Sequence, residues 1–207
     1  MKRLLVACEF SGIVRDAFAA RGWDAWSCDL LSTERPGQHI QGDVLRVLDH
    51  GWDLMIAHPP CTYLAVSGAR WFRGREAEQA ASLAFVRRLL DAPVPHIALE
   101  NPVGVISSRV RKPDQIIQPW QFGHPEAKAT CLWLKALPRL VPTEVLALPG
   151  GGRWANQTPT GQNRLGPSPD RWKERSRTYI GIAQAMSNQW SDIKTDTGRA
   201  EEWGGCR

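Results

Sequence analysis

The sequence has no apolar run approaching the roughly 20 residues that a membrane crossing requires, so no span is expected. It has no internal repeat, which excludes a repeat architecture. Cysteine is sparse and odd in number: Cys8, Cys28, Cys61, Cys131 and Cys206, none spaced as CxxC. That excludes a disulfide framework and a zinc site, and suits reduced thiols in a reducing compartment. The first residues, Met1 to Cys8, begin like a secretory leader, but Glu9 and the polar turn after it cut the apolar stretch short. A first strand and a soluble, cytoplasmic protein are expected instead.

What is present suits one globular core. The 207 residues match one domain with an appended segment, and 43% apolar with 23% charged residues excludes a disordered chain. The net charge of +5 favours an anionic partner. Arg153, Arg164, Arg171, Lys173, Arg175 and Arg177 stand against Asp170 and Glu174, and Arg70, Arg73 and Arg75 form a second basic group. Both groups suit phosphate contacts, the alternative being a solvated surface.

Short apolar runs alternate with helical patterns. Leu4–Cys8, Ala25–Cys28, Asp53–Ala57, His96–Leu99 and Thr130–Leu134 read as strands. Ile13–Ala20 and Glu76–Leu90 read as helices. Alternation with strands apolar on both faces predicts an α/β fold, a doubly wound, mostly parallel sheet with ligands at the strands' carboxyl ends. From 135 to 174 proline, glycine and polar residues predict an irregular basic insertion. A closing helix is expected within 175–192, around Thr178–Trp190, and a polar tail over 193–207. The ten tryptophans suit core anchoring, although Trp154 and Trp172 in the insertion could stack on bases.

Several strand ends carry chemistry. Glu9-Phe10-Ser11-Gly12 turns from a strand into a helix, and Asp29 follows at about the ~20-residue spacing of a ribose-binding acid. Together they suggest a nucleotide-like cofactor, or an ordinary turn with a surface carboxylate. Asp43 could accept from an adenine amine or cap a helix. In His58-Pro59-Pro60-Cys61-Thr62 two prolines fix where a thiol points. A thiol with pKa near ~8.5 needs ionisation to attack, so nearby positive charge would help. Cys61 is either that nucleophile or a buried small hydrophobe. Glu100, in Leu99-Glu100-Asn101-Pro102, can bind or protonate a ring nitrogen, or be a paired surface carboxylate.

The order Phe-Ser-Gly, strand-ending Asp, Gly-Asp, Pro-Pro-Cys, Glu-Asn resembles the cytosine-C5 DNA methyltransferases that use S-adenosyl-L-methionine (SAM), most closely the short versions of phages and prophages. The resemblance covers roughly residues 3–134, and more loosely the closing helix. It implies a Rossmann-like methyltransferase sheet with residues 1–134 as catalytic core, in a bacterial host's cytoplasm. It also implies SAM held by Phe10, Ser11, Gly12, Asp29, Asp43 and Pro60. Cys61 becomes the nucleophile and Glu100 the acid at N3, with Asn101, Ser67 and Lys128 on the substrate side. DNA is the implied partner, its phosphates met by the Arg70–Arg75 and Arg153–Arg177 regions.

Three features depart from that pattern. Val14 and Arg15 stand where the family has further glycines. Thr130 stands where an arginine meets the target base. The insertion is too short for a large target-recognition domain, leaving little room for base-edge contacts. Substrates other than duplex DNA (RNA or a free pyrimidine nucleotide) are therefore weighed beside it, as is a silent SAM- or DNA-binding descendant. Retention of both Cys61 and Glu100 argues against the last.

Overall fold

The computed structural model describes residues 1–150, 152–159, 163–166 and 168–193. The Arg70 side chain and the tail beyond Ile193, with Cys206, lie outside the described residues.

The first apolar run forms β1 (Arg3–Ala7), in which alternate residues face opposite sides of a sheet. Further strands are β2 (Asp24–Asp29), β3 (His39–Gln41), β4 (Leu54–Ala57), β5 (His96–Pro102), β6 (Gln115–Ile117) and β7 (Thr130–Lys135). They lie in the order β3-β2-β1-β4-β5-β7-β6. The first five are parallel neighbours, and β7 runs antiparallel to both β5 and β6. The sheet is thus mixed and mostly parallel, as the strand–helix alternation predicts.

Both faces are covered. Leu4, Val6, Leu54 and Ile56 pack beneath α1 (Ile13–Ala19) and α5 (Ile180–Trp190), which contribute Val14, Phe18, Ile182, Met186 and Trp190. Leu5, Met55, Ala57, Ile97 and Leu99 pack beneath α2 (Glu76–Leu90) and α3 (Ile106–Arg109), through Leu83, Val86, Leu89 and Ile106. Each large aliphatic or Phe side chain among them, withdrawn from water, contributes roughly 1.5–3 kcal/mol. No described helix is long and apolar enough to cross a membrane.

The described residues between β7 and residue 171 form no named helix or strand and are anchored on the core. Leu140 is buried, and Trp154 stacks on Trp120 with ring centroids 5.9 Å apart and planes 6° from parallel. That corrects one expectation: Trp154 spends its ring on the protein and has no face for a base. Trp172 is half exposed and rests beside Phe10 at 5.8 Å. The irregular stretch also ends sooner than its composition suggests, at a short helix, α4 (Arg171–Ser176), with no buried residue.

The strand order reverses between β1 and β4. In open α/β sheets the loops leaving the strands at such a point diverge and open a crevice. The segment Cys8–Gly12 leaves β1 there and His58–Cys61 leaves β4.

Candidate active site

Two cavities meet at this crevice. The smaller, about 100 Å³, is lined by Glu9, His58, Cys61, Glu100, Lys128 and Arg175 among others. The larger, about 520 Å³, lies over the ends of β2 and β3 and is lined by Asp29, Asp43, Leu30, Val44 and Phe85. Cys8 and Pro60 line both.

The turn carrying Cys61 is held from several sides. The Asn101 side-chain amide donates to the Pro59 carbonyl at 2.8 Å, and the Leu64 and Ala65 N–H groups donate to the Cys61 carbonyl. The chain beyond closes on β5 through Val66 N–H to Val103 O and Val105 N–H to Leu64 O. Gly104 permits that approach, since a Cβ there would lie 2.0 Å from the Leu64 carbonyl oxygen. Cys61 itself is exposed, whereas Cys28 and Cys131 are buried and Cys8 is half-buried. Although its surface is reached by solvent, the protein crowded around the thiol strips part of its hydration and raises its pKa above the ordinary thiol value, and the nearby charge of Glu100 adds to this. Arg175 and Lys128 pull it down without reversing the direction. The positive charge the thiol calls for is present, but desolvation outweighs it.

Glu100 faces the same cavity. Burial alone would raise its pKa, but the hydrogen bond and charge of His58, with Lys128 behind, hold it below 4.5. Its Oε2 meets His58 Nδ1 at 2.8 Å, with side-chain exposures of 13% and 10%. For His58, burial works to lower the pKa, and the bond to Glu100 together with the charges of Glu100 and Glu9 raises it overall. The two form a mostly buried hydrogen-bonded pair across the ends of β4 and β5.

At the β1–α1 turn, Glu9 is buried and accepts from Val14 N–H at 2.8 Å, Arg15 N–H at 3.3 Å and the Ser11 hydroxyl at 3.2 Å. The helix's free N–H groups are thereby occupied by a carboxylate of the chain itself. Gly12 takes the left-handed φ of 71° that the turn needs. Arg15, an odd residue for this place in the sequence pattern, is fully buried. Its guanidinium donates to Asp16, Ser27, Thr33 and the Arg35 and Pro36 carbonyls, tying α1 to the loop after β2.

The candidate cofactor residues divide between the cavities. Asp29, Asp43 and Pro60 line the larger one, while Phe10 and Ser11, both buried, line the smaller, and Gly12 lines neither. Asp29 accepts from Leu31 N–H at 2.9 Å, and burial raises its pKa. Asp43 caps the 3-10 turn Val44–Arg46 by accepting from Leu45 N–H at 3.0 Å, so its structural reading holds alongside its place at the cavity.

On the substrate side, Asn101 and Lys128 line the small cavity, and Ser67 lies in the 3-10 helix Val66–Trp71 outside both cavities. Lys128 is steadied by donation to the Arg175 carbonyl at 2.8 Å and lies over the Tyr179 ring. Thr130 is buried in β7 and donates to the Lys128 carbonyl, so it presents no charge to the cavity. Of the basic residues, Arg175 lines the site, Arg177 pairs with Glu34 at 2.7 Å, and Arg75 pairs with Glu78. Arg73, Arg153 and Arg164 are exposed.

Sequence reading gave no role to His58, Glu9 or Arg175 at this centre. His58 stood in plain view beside the proline pair, but its partner lies 42 residues away.

No family model matches the chain, and no curated protein matches it. Among solved structures it is similar to an E. coli crystal structure of a prophage-encoded protein assigned as a DNA modification methyltransferase. The TM-score is 0.44 at 13% identity, over 70% of this chain and 52% of that one. The chain therefore spans about half the length of that protein.

Proposed function

We propose that the protein is a SAM-dependent methyltransferase that acts on C5 of cytosine in DNA through a covalent bond from Cys61 to C6. The observation that carries this reading is the convergence of Cys61, Glu100 and Lys128 on one small cavity, joined through Pro60 to a larger one bearing two carboxylates.

The larger cavity fits an adenosyl group. Asp29 and Asp43 can accept from ribose hydroxyls and an amine, and Leu30, Val44 and Phe85 suit a flat apolar ring. Glu9 supports SAM over a dinucleotide. A carboxylate already seated on the α1 N–H groups repels a pyrophosphate and suits a cofactor carrying positive charge. When bound, SAM supplies an electrophilic methyl group.

Cys61, as thiolate, adds to C6, splitting one hard substitution into two easier steps. Glu100, once it carries a proton, can donate it to N3 and so stabilise the charge that addition pushes onto the ring. Lys128, which lines the cavity, would hold a carbonyl oxygen of the base or a phosphate, and Arg175 adds a second cation beside the thiol. A base in duplex DNA must first swing out of the stack, at a few kcal/mol.

One observation favours a second reading, in which RNA or a free pyrimidine nucleotide is the substrate. The insertion is short, and Leu140 and Trp154 are spent on the core, which leaves little room for the several base-edge contacts that duplex readout needs. Labelled methyl transfer from SAM separates the readings, with duplex DNA, single-stranded DNA, transfer RNA and free cytidine nucleotides offered in parallel. C5-methyldeoxycytidine from duplex DNA, abolished by Cys61→Ser, is the expected result. Label confined to RNA or nucleotides moves the substrate, and no label with SAM bound overturns the catalytic reading.

A further inference from the structure

We infer that His58 holds the proton that Glu100 delivers to the target base, acting as a positioning residue through Glu100 rather than on the substrate. The inference rests on the proposed methyl transfer and gives its acid a source.

The geometry carries it. His58 Nδ1 lies 2.8 Å from Glu100 Oε2, and the imidazole's other nitrogen, Nε2, is buried without a hydrogen-bond partner. The ring therefore has one acceptor among the described residues, and a proton on Nδ1 can pass only to Glu100. With one carboxylate oxygen engaged by His58, the other is left to meet a ring nitrogen at the cavity. A lone ionised carboxylate there could accept a hydrogen bond but could not protonate N3. Thr130, buried in β7, offers no cation to Glu100 in its place.

The charged groups facing His58 come from each neighbouring element. Glu100 on β5 and Glu9 on the β1–α1 turn favour its protonated form, and Lys128, from the segment before β7, opposes it. Two carboxylates against one ammonium keep the proton on the pair.

The proton balance closes over one turnover. The Cys61 thiolate forms the S–C6 bond and the C5=C6 electrons move through C4 onto N3. The His58 imidazolium passes its Nδ1 proton to the Glu100 carboxylate as Glu100 passes a proton to N3, leaving a neutral imidazole and an ionised carboxylate. After C5 is methylated, its own proton leaves to water, the C5=C6 bond re-forms and the thiolate departs. N3 then returns its proton to Glu100, and Glu100 to His58.

Two measurements test this. The first needs no substrate: NMR titration of the His58 ring in the wild-type protein and in Glu100→Gln. The wild-type midpoint is expected above the ordinary 6.5 and higher than in E100Q; equal midpoints overturn the coupling. The second is the pH–rate profile of methyl transfer to duplex DNA by His58→Gln, which keeps a hydrogen-bond donor but cannot ionise. SAM affinity and thermal midpoint are expected to stay near wild type, while the maximal rate falls about 100-fold, within the usual range of general acid–base catalysis. The limb belonging to the pair is expected to move to lower pH. An unchanged rate and profile overturn the relay alone. Absence of wild-type transfer on any substrate, with the coupled titration intact, overturns the functional reading and the relay with it, leaving a structural ion pair. If H58Q does not fold, the wild-type profile decides: its limb must coincide with the NMR midpoint, and a mismatch overturns the relay.

Discussion

The Asn101 side-chain amide donates to the Pro59 carbonyl at 2.8 Å, fastening the end of β5 to the turn that presents Cys61. Nucleophile and acid come from different strands, and this bond fixes one against the other. Asn101 is buried, so its loss leaves the carbonyl without that partner. Asn101→Ala is expected to cost about 1–3 kcal/mol in urea unfolding. Methyl transfer should fall more steeply than SAM affinity, because the cofactor cavity draws no side chain from Asn101. Equal losses in both would show that the bond serves general folding only.

Gly104 serves the same alignment from the other side. Gly104→Ala drives a methyl group into the Leu64 carbonyl, a backbone atom that cannot swing away. A loss of about 1–3 kcal/mol is expected, as for other overpacked sites. Calorimetry of the variant checks it; an unchanged thermal midpoint would contradict the close approach.

Asp43 has two roles that one substitution separates. Asn caps a helical turn as well as Asp does, so Asp43→Asn keeps the bond from Leu45 N–H but removes the charge from the larger cavity. SAM affinity, measured by calorimetric titration, is expected to fall about tenfold, or ~1.4 kcal/mol, with stability unchanged. A fall in stability with SAM affinity intact would leave Asp43 as a cap alone.

The thiol's pH dependence has a definite sign. Because partial desolvation raises the Cys61 pKa above 9.0, the thiolate is a minor form at neutral pH and grows as pH rises. Alkylation of the peptide carrying Cys61 should accelerate through pH 8 and level off only above 9.0. Lys128→Met and Arg175→Ala each remove a charge that favours the thiolate, so each should slow the reaction at pH 8. A faster reaction in either variant would reverse the electrostatic assignment.

Legibility followed the physics of each element. The helix expected at Glu76–Leu90 is α2 residue for residue, because an apolar stripe repeating every turn is a local signal. Strands apolar on both faces announced a parallel sheet for the same reason. β6 was invisible because three residues at the sheet's edge, with Ile116 half exposed, carry no alternation to read. α4 was hidden because it buries nothing. Within the site, the proline pair and the acid at the end of a strand marked Cys61 and Glu100. The partnership of His58 with Glu100 was not legible, since it depends on which strands become neighbours. Trp154 was misread for the same reason: its partner, Trp120, lies outside the insertion.

The central claim is a covalent bond from Cys61 to C6 of cytosine, and trapping tests it most directly. Duplex DNA carrying 5-fluorocytosine, incubated with the protein and SAM, blocks the final elimination because fluorine does not leave C5 as a proton does. A stable protein–DNA adduct located on the Cys61 peptide by mass spectrometry, and absent in Cys61→Ser, is the expected result. A folded, SAM-binding protein that methylates DNA yet forms no adduct, or forms one at another cysteine, would contradict it.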